Sequence, residues 1–250
     1  MANLLICGAL GRMGKKVFEA CNGSSLTPVC GIDRIEDLSS NNFPIYSSFE
    51  NVKENIDVII DFSAPSTLPS ILNFCTTNNV PAVLCATGYS EQDVNMVKQA
   101  SEKVALFRSA NMSLGVNVLI DLVKKACAVL GQNFDIEIIE KHHNQKVDSP
   151  SGTALMLADA CKDVLPEKFY VYGREGFVGK RKQDEIGIHA VRGGNIVGEH
   201  DVIFAGENET ITLSHHAADR GVFANGAIKA AEFLIGKKPA LYNMSDVING

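Results

Sequence analysis

"NLLICGALGRMGKKVFEACN", residues 3–22, decides the fold. Its apolar run "LLIC" shows no polar alternation, which suits a strand covered on both faces. Gly8, Gly11 and Gly14 follow at once, and Met13, Val17 and Ala20 then recur at helical spacing. A turn this tight needs backbone without a Cβ. A helix beginning in it aims free N–H groups past the strand end, where a pyrophosphate would sit. The spacing is G-x-x-G-x-x-G rather than the stricter G-x-G-x-x-G, so plain helix-on-strand packing also fits it.

The scheme repeats outward from there. "LTPVCGIDR" (26–34) is a second apolar strand ending in charge, and "DVIIDFSAPSTLPSILNFCTTNN" (57–79) reads as strand, turn and helix. "PAVLCATGYSEQDVNMVKQASEK" (81–103) does the same, and "VALFRSANMS" (104–113) closes with another strand. Strands alternating with helices imply a parallel sheet with helices on both faces, a Rossmann-type α/β domain. Asp33 lies about 20 residues past the last glycine, where an acid would bond adenosine ribose hydroxyls. Arg34 beside it suits a 2′-phosphate. Together they accommodate NADH or NADPH, with Asp33 tilting toward NADH. "CATG" (85–88) and "SANM" (109–112) end later strands on the same expected edge, small enough for a nicotinamide ribose to approach the backbone.

The character of the chain changes after Met112, and a hinge is expected over 112–115. "SLGVNVLIDLVKKACAVLG" (113–131) is a long amphipathic helix with Val116, Leu119, Ile120, Val123 and Ala126 on one stripe. "FDIEIIEKHH" (134–143) alternates as a strand. "SPSGTALMLADACKDVL" (149–165) is a helix with Ser149 expected as N-cap and Pro150 at its first position. Residues 187–217 read as strands joined by turns, with "GENET" (206–210) at a hairpin tip. "GVFANGAIKAAEFLIG" (221–236) is a last helix stopped by Gly236, and it could pack on either half. The expected architecture is therefore a dinucleotide-binding domain, residues 1–112 and 220–250. A substrate-binding α+β domain with a mixed sheet, residues 113–219, completes it.

Composition narrows the function. The 250 residues are 46% hydrophobic and 21% charged, with a formal charge of −6. An acidic balance argues against a nucleic-acid partner gripped through the overall field. The amino-terminal stretch has no basic leader and no apolar span, so no membrane is implied and a cytoplasmic protein is expected. Seven cysteines without a C-x-x-C pair, mostly among apolar neighbours, suggest reduced buried thiols.

"EKHHNQKVDSPSGTA" (140–154) concentrates the chemistry. His142 or His143 can donate a proton near neutrality, and Lys146 supplies a compact cation. Ser151, Gly152 and Thr153 open a helix and offer a second anion site. The set favours a small, multiply anionic substrate. Asp148 is expected to bond loop amides. Zinc on His142 and His143 is disfavoured, because strand neighbours point to opposite faces and no further ligand is spaced for it; no metal is assigned.

This loop resembles the signature E-x-H-H-x-x-K-x-D-x-P-S-G-T-A of the 4-hydroxy-tetrahydrodipicolinate reductase (dihydrodipicolinate reductase) family. "GALGRMG" (8–14), "VRGGNIVGEHDVIFAG" (191–206) and "SHHAADRGVFANGAIKAAEFL" (214–234) resemble its other motifs in order, across essentially the whole chain. The resemblance implies NADH- or NADPH-dependent reduction of a dianionic cyclic imine on the diaminopimelate route to lysine, by a homotetramer. It implies His142 as proton donor, Lys146 as companion donor, His143 as substrate ligand, and Gly152 with Thr153 as the carboxylate-binding turn. Cofactor positions implied are Gly8, Ala9, Leu10, Gly11, Arg12, Met13, Asp33, Arg34, Cys85, Ala86, Thr87, Ser109, Ala110, Asn111 and Met112. The family commonly has G-T-T-G where this chain has "CATG", and A-N-F-S where it has "ANMS"; Met112 offers the nicotinamide a softer apolar surface. Another NAD(P)-dependent semialdehyde or amino dicarboxylate dehydrogenase is the alternative, though an acylating one needs a nucleophilic cysteine and this loop has none. A non-catalytic NAD(H) sensor would have no reason to gather donor, cation and anion turn in one segment.

Overall fold

The first apolar run forms β1 (Ala2–Cys7), in which Leu4, Leu5, Ile6 and Cys7 have no exposed surface. That burial on both faces is what an unalternating apolar strand requires. Around it β2 (Leu26–Ile32), β3 (Ile45–Tyr46), β4 (Val58–Asp61), β5 (Ala82–Leu84) and β6 (Ala105–Arg108) build one sheet, with β12 (Ala240–Tyr242) at its far edge. All pairs are parallel, in the order β12-β6-β5-β4-β1-β2-β3. Helices α2 (Leu68–Asn78) and α3 (Glu91–Ser101) cover one face, where Ile71, Cys75 and Val97 meet Leu5, Cys7 and Ile59. Helices α1 (Arg12–Ala20) and α6 (Gly221–Leu234) pack on each other; α1 also contacts β1, and α6 contacts β4, β5 and β6.

This computed structural model describes residues 1–37 and 42–250. The chain divides into one unit of Met1–Ser113 with Arg220–Gly250 and a second of Leu114–Asp219. The last helix thus joins the parallel sheet, as does the short α7 (Met244–Asn249) behind it.

In the second unit β7 (Asp135–His142), β8 (Phe169–Tyr172), β9 (Glu185–Arg192), β10 (Gly198–Ala205) and β11 (Thr210–Ala217) form a sheet of order β11-β10-β7-β9-β8. β10 is antiparallel to β7 and β11, whereas β9 is parallel to β7 and β8, so the sheet is mixed. α4 (Leu114–Leu130) and α5 (Gly152–Val164) cover one face, burying Ile136, Ile138, Ile186, Ile188, Val202 and Phe204. The buried stripe of α4 ends on Cys127 rather than Ala126, which is only partly covered.

Two sequence expectations need correction. α5 begins at Gly152, not Pro150, because its N-cap is Ser151, whose hydroxyl accepts the Ala154 N–H at 3.1 Å. Ser149 is exposed and makes no cap. β3, β8 and β12 escaped the sequence reading because each is an edge strand or a fragment of two to four residues, too short for periodicity to register.

Candidate active site

Since every strand of the first sheet is parallel, the segments after β1, β2, β4, β5 and β6 all emerge on one edge. That brings Gly8, Ala9, Leu10, Gly11, Arg12 and Met13 to the same edge as Asp33, Arg34, Cys85, Ala86 and Thr87, and Ser109, Ala110, Asn111 and Met112. The chain crosses from one side of β1 to the other here, between β2 and β4, a topological switch point where α/β sheets bind dinucleotides. Gly8 has φ +76°, and a Cβ on it would lie 2.8 Å from the Phe62 carbonyl oxygen. Only glycine lets the two turns approach this closely. Asp33 accepts the Leu10 N–H at 2.9 Å and the Arg34 N–H at 2.7 Å, so its carboxylate is already anchored on the glycine turn. Arg34 is exposed. Ser109 donates its hydroxyl to the Asn111 carbonyl at 2.9 Å, and Asn111 Oδ1 accepts the Ser113 N–H at 2.8 Å, shaping a turn over buried Met112.

One residue of this edge carried no role in the sequence reading. Asp61, fully buried at the end of β4, accepts from the Ser63 backbone and hydroxyl and from the Tyr89 hydroxyl at 3.3 Å. It ties the loops after β4 and β5 together. Burial lifts its carboxyl above the usual range against those three donors.

In the second unit β7 leaves the core as it approaches α5. Its covered face runs Ile136, Ile138, Glu140, His142, so the period-two alternation that buries two isoleucines also carries an acid and an imidazole inward. Glu140 has no exposed surface, and His142 keeps 9%. Glu140 Oε2 lies 2.6 Å from His142 Nδ1, while Oε1 accepts the Ser151 N–H at 2.9 Å. One carboxylate thus joins the imidazole to the start of α5. Arg192, at the end of β9, closes the set with two bonds of 2.7 Å, one to each oxygen. Burial alone would lift the Glu140 carboxyl; the Arg192 fork, His142 and the Ser151 amide hold it below the ordinary carboxylate range instead. It is therefore an anion at neutral pH, fixing the ring orientation and leaving Nε2 as the nitrogen not taken by the carboxylate.

Nε2 sits over β10. A Cβ on Gly198 would lie 3.0 Å from it, so this position accommodates nothing larger than glycine without moving the ring. His200, two residues on and 4% exposed, packs edge to face against His142 with centroids 5.2 Å apart.

Lys146 Nζ is 2.8 Å from Asp148 Oδ1, with its side chain 19% exposed. Asp148 holds the lysine and also accepts from its own backbone amide, and the ammonium, with that amide, keeps its carboxyl low. His143 follows the last residue of β7, and its carbonyl accepts the Lys146 N–H at 3.2 Å, turning the loop. Gly152 opens α5 with nothing within 4 Å of where a Cβ would stand, which leaves room for a ligand at the helix mouth; half-buried Thr153 follows it in the first turn. Ser151 is different: its hydroxyl caps Ala154 and meets His200 Nε2 at 3.0 Å, so it faces inward.

Glu140, Arg192, Gly198 and His200 were missed as functional residues. Alternation along β7 could have placed Glu140 beside His142. Nothing local could have shown that Arg192 meets the Glu140 carboxylate, or that Gly198 and His200 meet the His142 ring.

A Rossmann edge with this glycine turn, in one chain with a mixed-sheet unit that holds a carboxylate-bound imidazole, defines a two-unit oxidoreductase using NADH or NADPH. Comparison with known proteins gives the class its family. "Dihydrodipicolinate reductase, N-terminus" matches residues 2–112 and "Dihydrodipicolinate reductase, C-terminus" matches residues 115–248. The 4-hydroxy-tetrahydrodipicolinate reductase of Caldanaerobacter subterraneus subsp. tengcongensis is 54% identical over 99% of this chain and 98% of its own. That of Clostridium tetani is 47% identical over 100% and 98%. Among solved structures, a dipicolinate-bound dihydrodipicolinate reductase from Paenisporosarcina sp. TG-14 superposes with a TM-score of 0.81, at 25% identity and 97% of each chain. The chain belongs to the dihydrodipicolinate reductase family. Among the described residues, no helix is long and apolar enough to cross a membrane.

Proposed function

We propose that this protein reduces 4-hydroxy-tetrahydrodipicolinate to tetrahydrodipicolinate with NADH or NADPH, in the cytoplasm, on the diaminopimelate route to lysine. The observation that carries the reading is the single carboxylate of Glu140 bonded at once to His142 and to the start of α5. It holds a proton donor and an anion-binding helix mouth at one fixed spacing, which is what a small ring bearing carboxylates requires.

The overall change removes the 4-hydroxyl as water and adds one hydride and one proton. The reduced nicotinamide, when bound, supplies the hydride to the ring carbon conjugated with the imine. Gly8 and its neighbours suit the cofactor's pyrophosphate, since the turn has no Cβ to obstruct it and the helix behind it directs N–H groups outward. Gly152 and Thr153 take a substrate carboxylate at the mouth of α5. Lys146 exchanges Asp148 for the second carboxylate and steadies negative charge as electrons move toward the imine nitrogen. His142, protonated and held at Nδ1 by Glu140, gives its Nε2 proton to the enamine carbon. His143 contributes a further substrate contact from the same loop.

The uncovered face of the second sheet carries Ile139, Val191 and Ile203, none of them buried. This face supports a homotetramer joined sheet to sheet, measurable as a fourfold mass by light scattering. The activity is tested by NADH oxidation on freshly generated cyclic imine. Oxidation above background supports the reading; oxidation only with an amino-acid semialdehyde would replace it with the alternative dehydrogenase.

A further inference from the structure

His200 is a polar side chain that the reaction above does not use, yet it lies deeper than the donor. Its ring is 4% exposed and belongs to β10, between β7 and β11. Glu140 stands opposite it on β7 and His215 on β11. One ring nitrogen, Nε2, meets the Ser151 hydroxyl at 3.0 Å; the other, Nδ1, is buried with no hydrogen-bond partner among the described residues. A buried nitrogen left without a partner is costly, and a ring placed so only for packing would be better replaced by an apolar one.

The bond to Ser151 explains the cost. The Ser151 oxygen accepts the Ala154 N–H and spends its remaining hydrogen-bonding capacity on His200 Nε2. That bond holds one edge of the His200 ring against the start of α5. Burial, with the nearby charge of His142, pushes its titration down to about 4. The Ser151 hydroxyl is thereby withdrawn from the substrate side, and the first turn of α5 is held by a ring that also packs on His142.

We propose that His200 is a positioning residue: through Ser151 it fixes the first turn of α5, and through its ring face it fixes the His142 imidazole. The proposal rests on the reductase reading and deepens it by naming what keeps donor and anion turn in register. Glu140 sets that register from the Nδ1 side and His200 from the ring side.

The test compares His200→Phe, His200→Gln and Ser151→Ala with wild type, each normalised to folded protein by circular dichroism. Gln ends its amide near the place of Nε2 and keeps the bond to Ser151; Phe keeps only the packing. His200→Phe and Ser151→Ala are expected to lower kcat and to weaken binding of dipicolinate, each about tenfold or more. His200→Gln should recover to within about threefold of wild type, and the Ser151→Ala/His200→Phe pair should be no worse than either single change. Should His200→Phe not fold, Ser151→Ala and His200→Gln still carry the comparison. Changes in denaturation midpoint alone, with kcat and dipicolinate affinity within about twofold of wild type, would overturn the proposal and leave a structural histidine. A wild-type protein that neither oxidises NADH on the cyclic imine nor binds dipicolinate would instead remove the reductase reading, and this proposal with it.

Discussion

Arg192→Met removes the one guanidinium that stands on both oxygens of a carboxylate with no exposed surface. What remains on Glu140 is His142 and a single backbone amide. Breaking a buried pair from one side costs about 3–5 kcal/mol, because the other charge is left in a poor solvent. In a chain of this size that is roughly a 10 °C fall in Tm. The sign with pH is specific. In the wild type the Glu140 carboxyl is held low, so its contribution is full above the unfolded value of about 4.3 and is lost as pH falls on through the lower folded value. In the variant, burial acts without its main opponent and lifts the carboxyl, so the penalty grows as pH rises. The two proteins should therefore be furthest apart near pH 8, draw together as pH falls, and converge only below the ordinary carboxylate range. The chain contains no tryptophan, so urea transitions are best followed by far-UV circular dichroism. Glu140→Gln combined with Arg192→Met should recover most of the stability without the activity, since a neutral pair leaves no buried charge and no anion on His142. A loss below about 1 kcal/mol, or one that is equal at pH 4.5 and pH 8, would show that the carboxylate is not held as described.

Other perturbations separate the remaining roles. His142→Gln should reduce kcat by about 10²–10⁴ and leave KM within a few-fold; turnover surviving within about tenfold would put the donor elsewhere. Lys146→Ala should damage kcat and KM together, and an unchanged KM would contradict its carboxylate role. Gly198→Ala puts a methyl 3.0 Å from His142 Nε2 and should cost at least about tenfold in kcat with little change in Tm, whereas a fully active variant would mean the ring has room to move. Glu137, beside Arg174, Arg181 and His189, has its carboxyl held down at about 2 against its own burial. Glu137→Gln should cost about 2 kcal/mol at pH 7, allowing for partial exposure, and nothing near pH 2, where the wild-type advantage has been lost; an equal cost at both would contradict the ion pairing.

The local features were legible without a structure because local physics sets them. An apolar run without alternation has to be covered on both faces, and a turn of glycines at its end needs no distant partner to form. Gly8, Asp33 and the segments 85–87 and 109–112 share an edge simply because alternating strands and helices make a parallel sheet. His142, His143, Lys146 and Gly152 could be singled out because they are neighbours in sequence, and the family motif in which they lie is long enough to be specific. What could not be read was anything depending on a partner in another strand. Ser149 and Ser151 are equally good caps by composition, and only the bond to Ala154 with the Glu140 and His200 contacts chooses between them. Arg192 reaches Glu140, and Gly198 and His200 reach His142, through sheet register, a property of strand pairing that no single strand carries. The residue types of the site were thus set by the chain itself, while the direction of each side chain and the charge state of Glu140 and His200 followed from packing, which buries them.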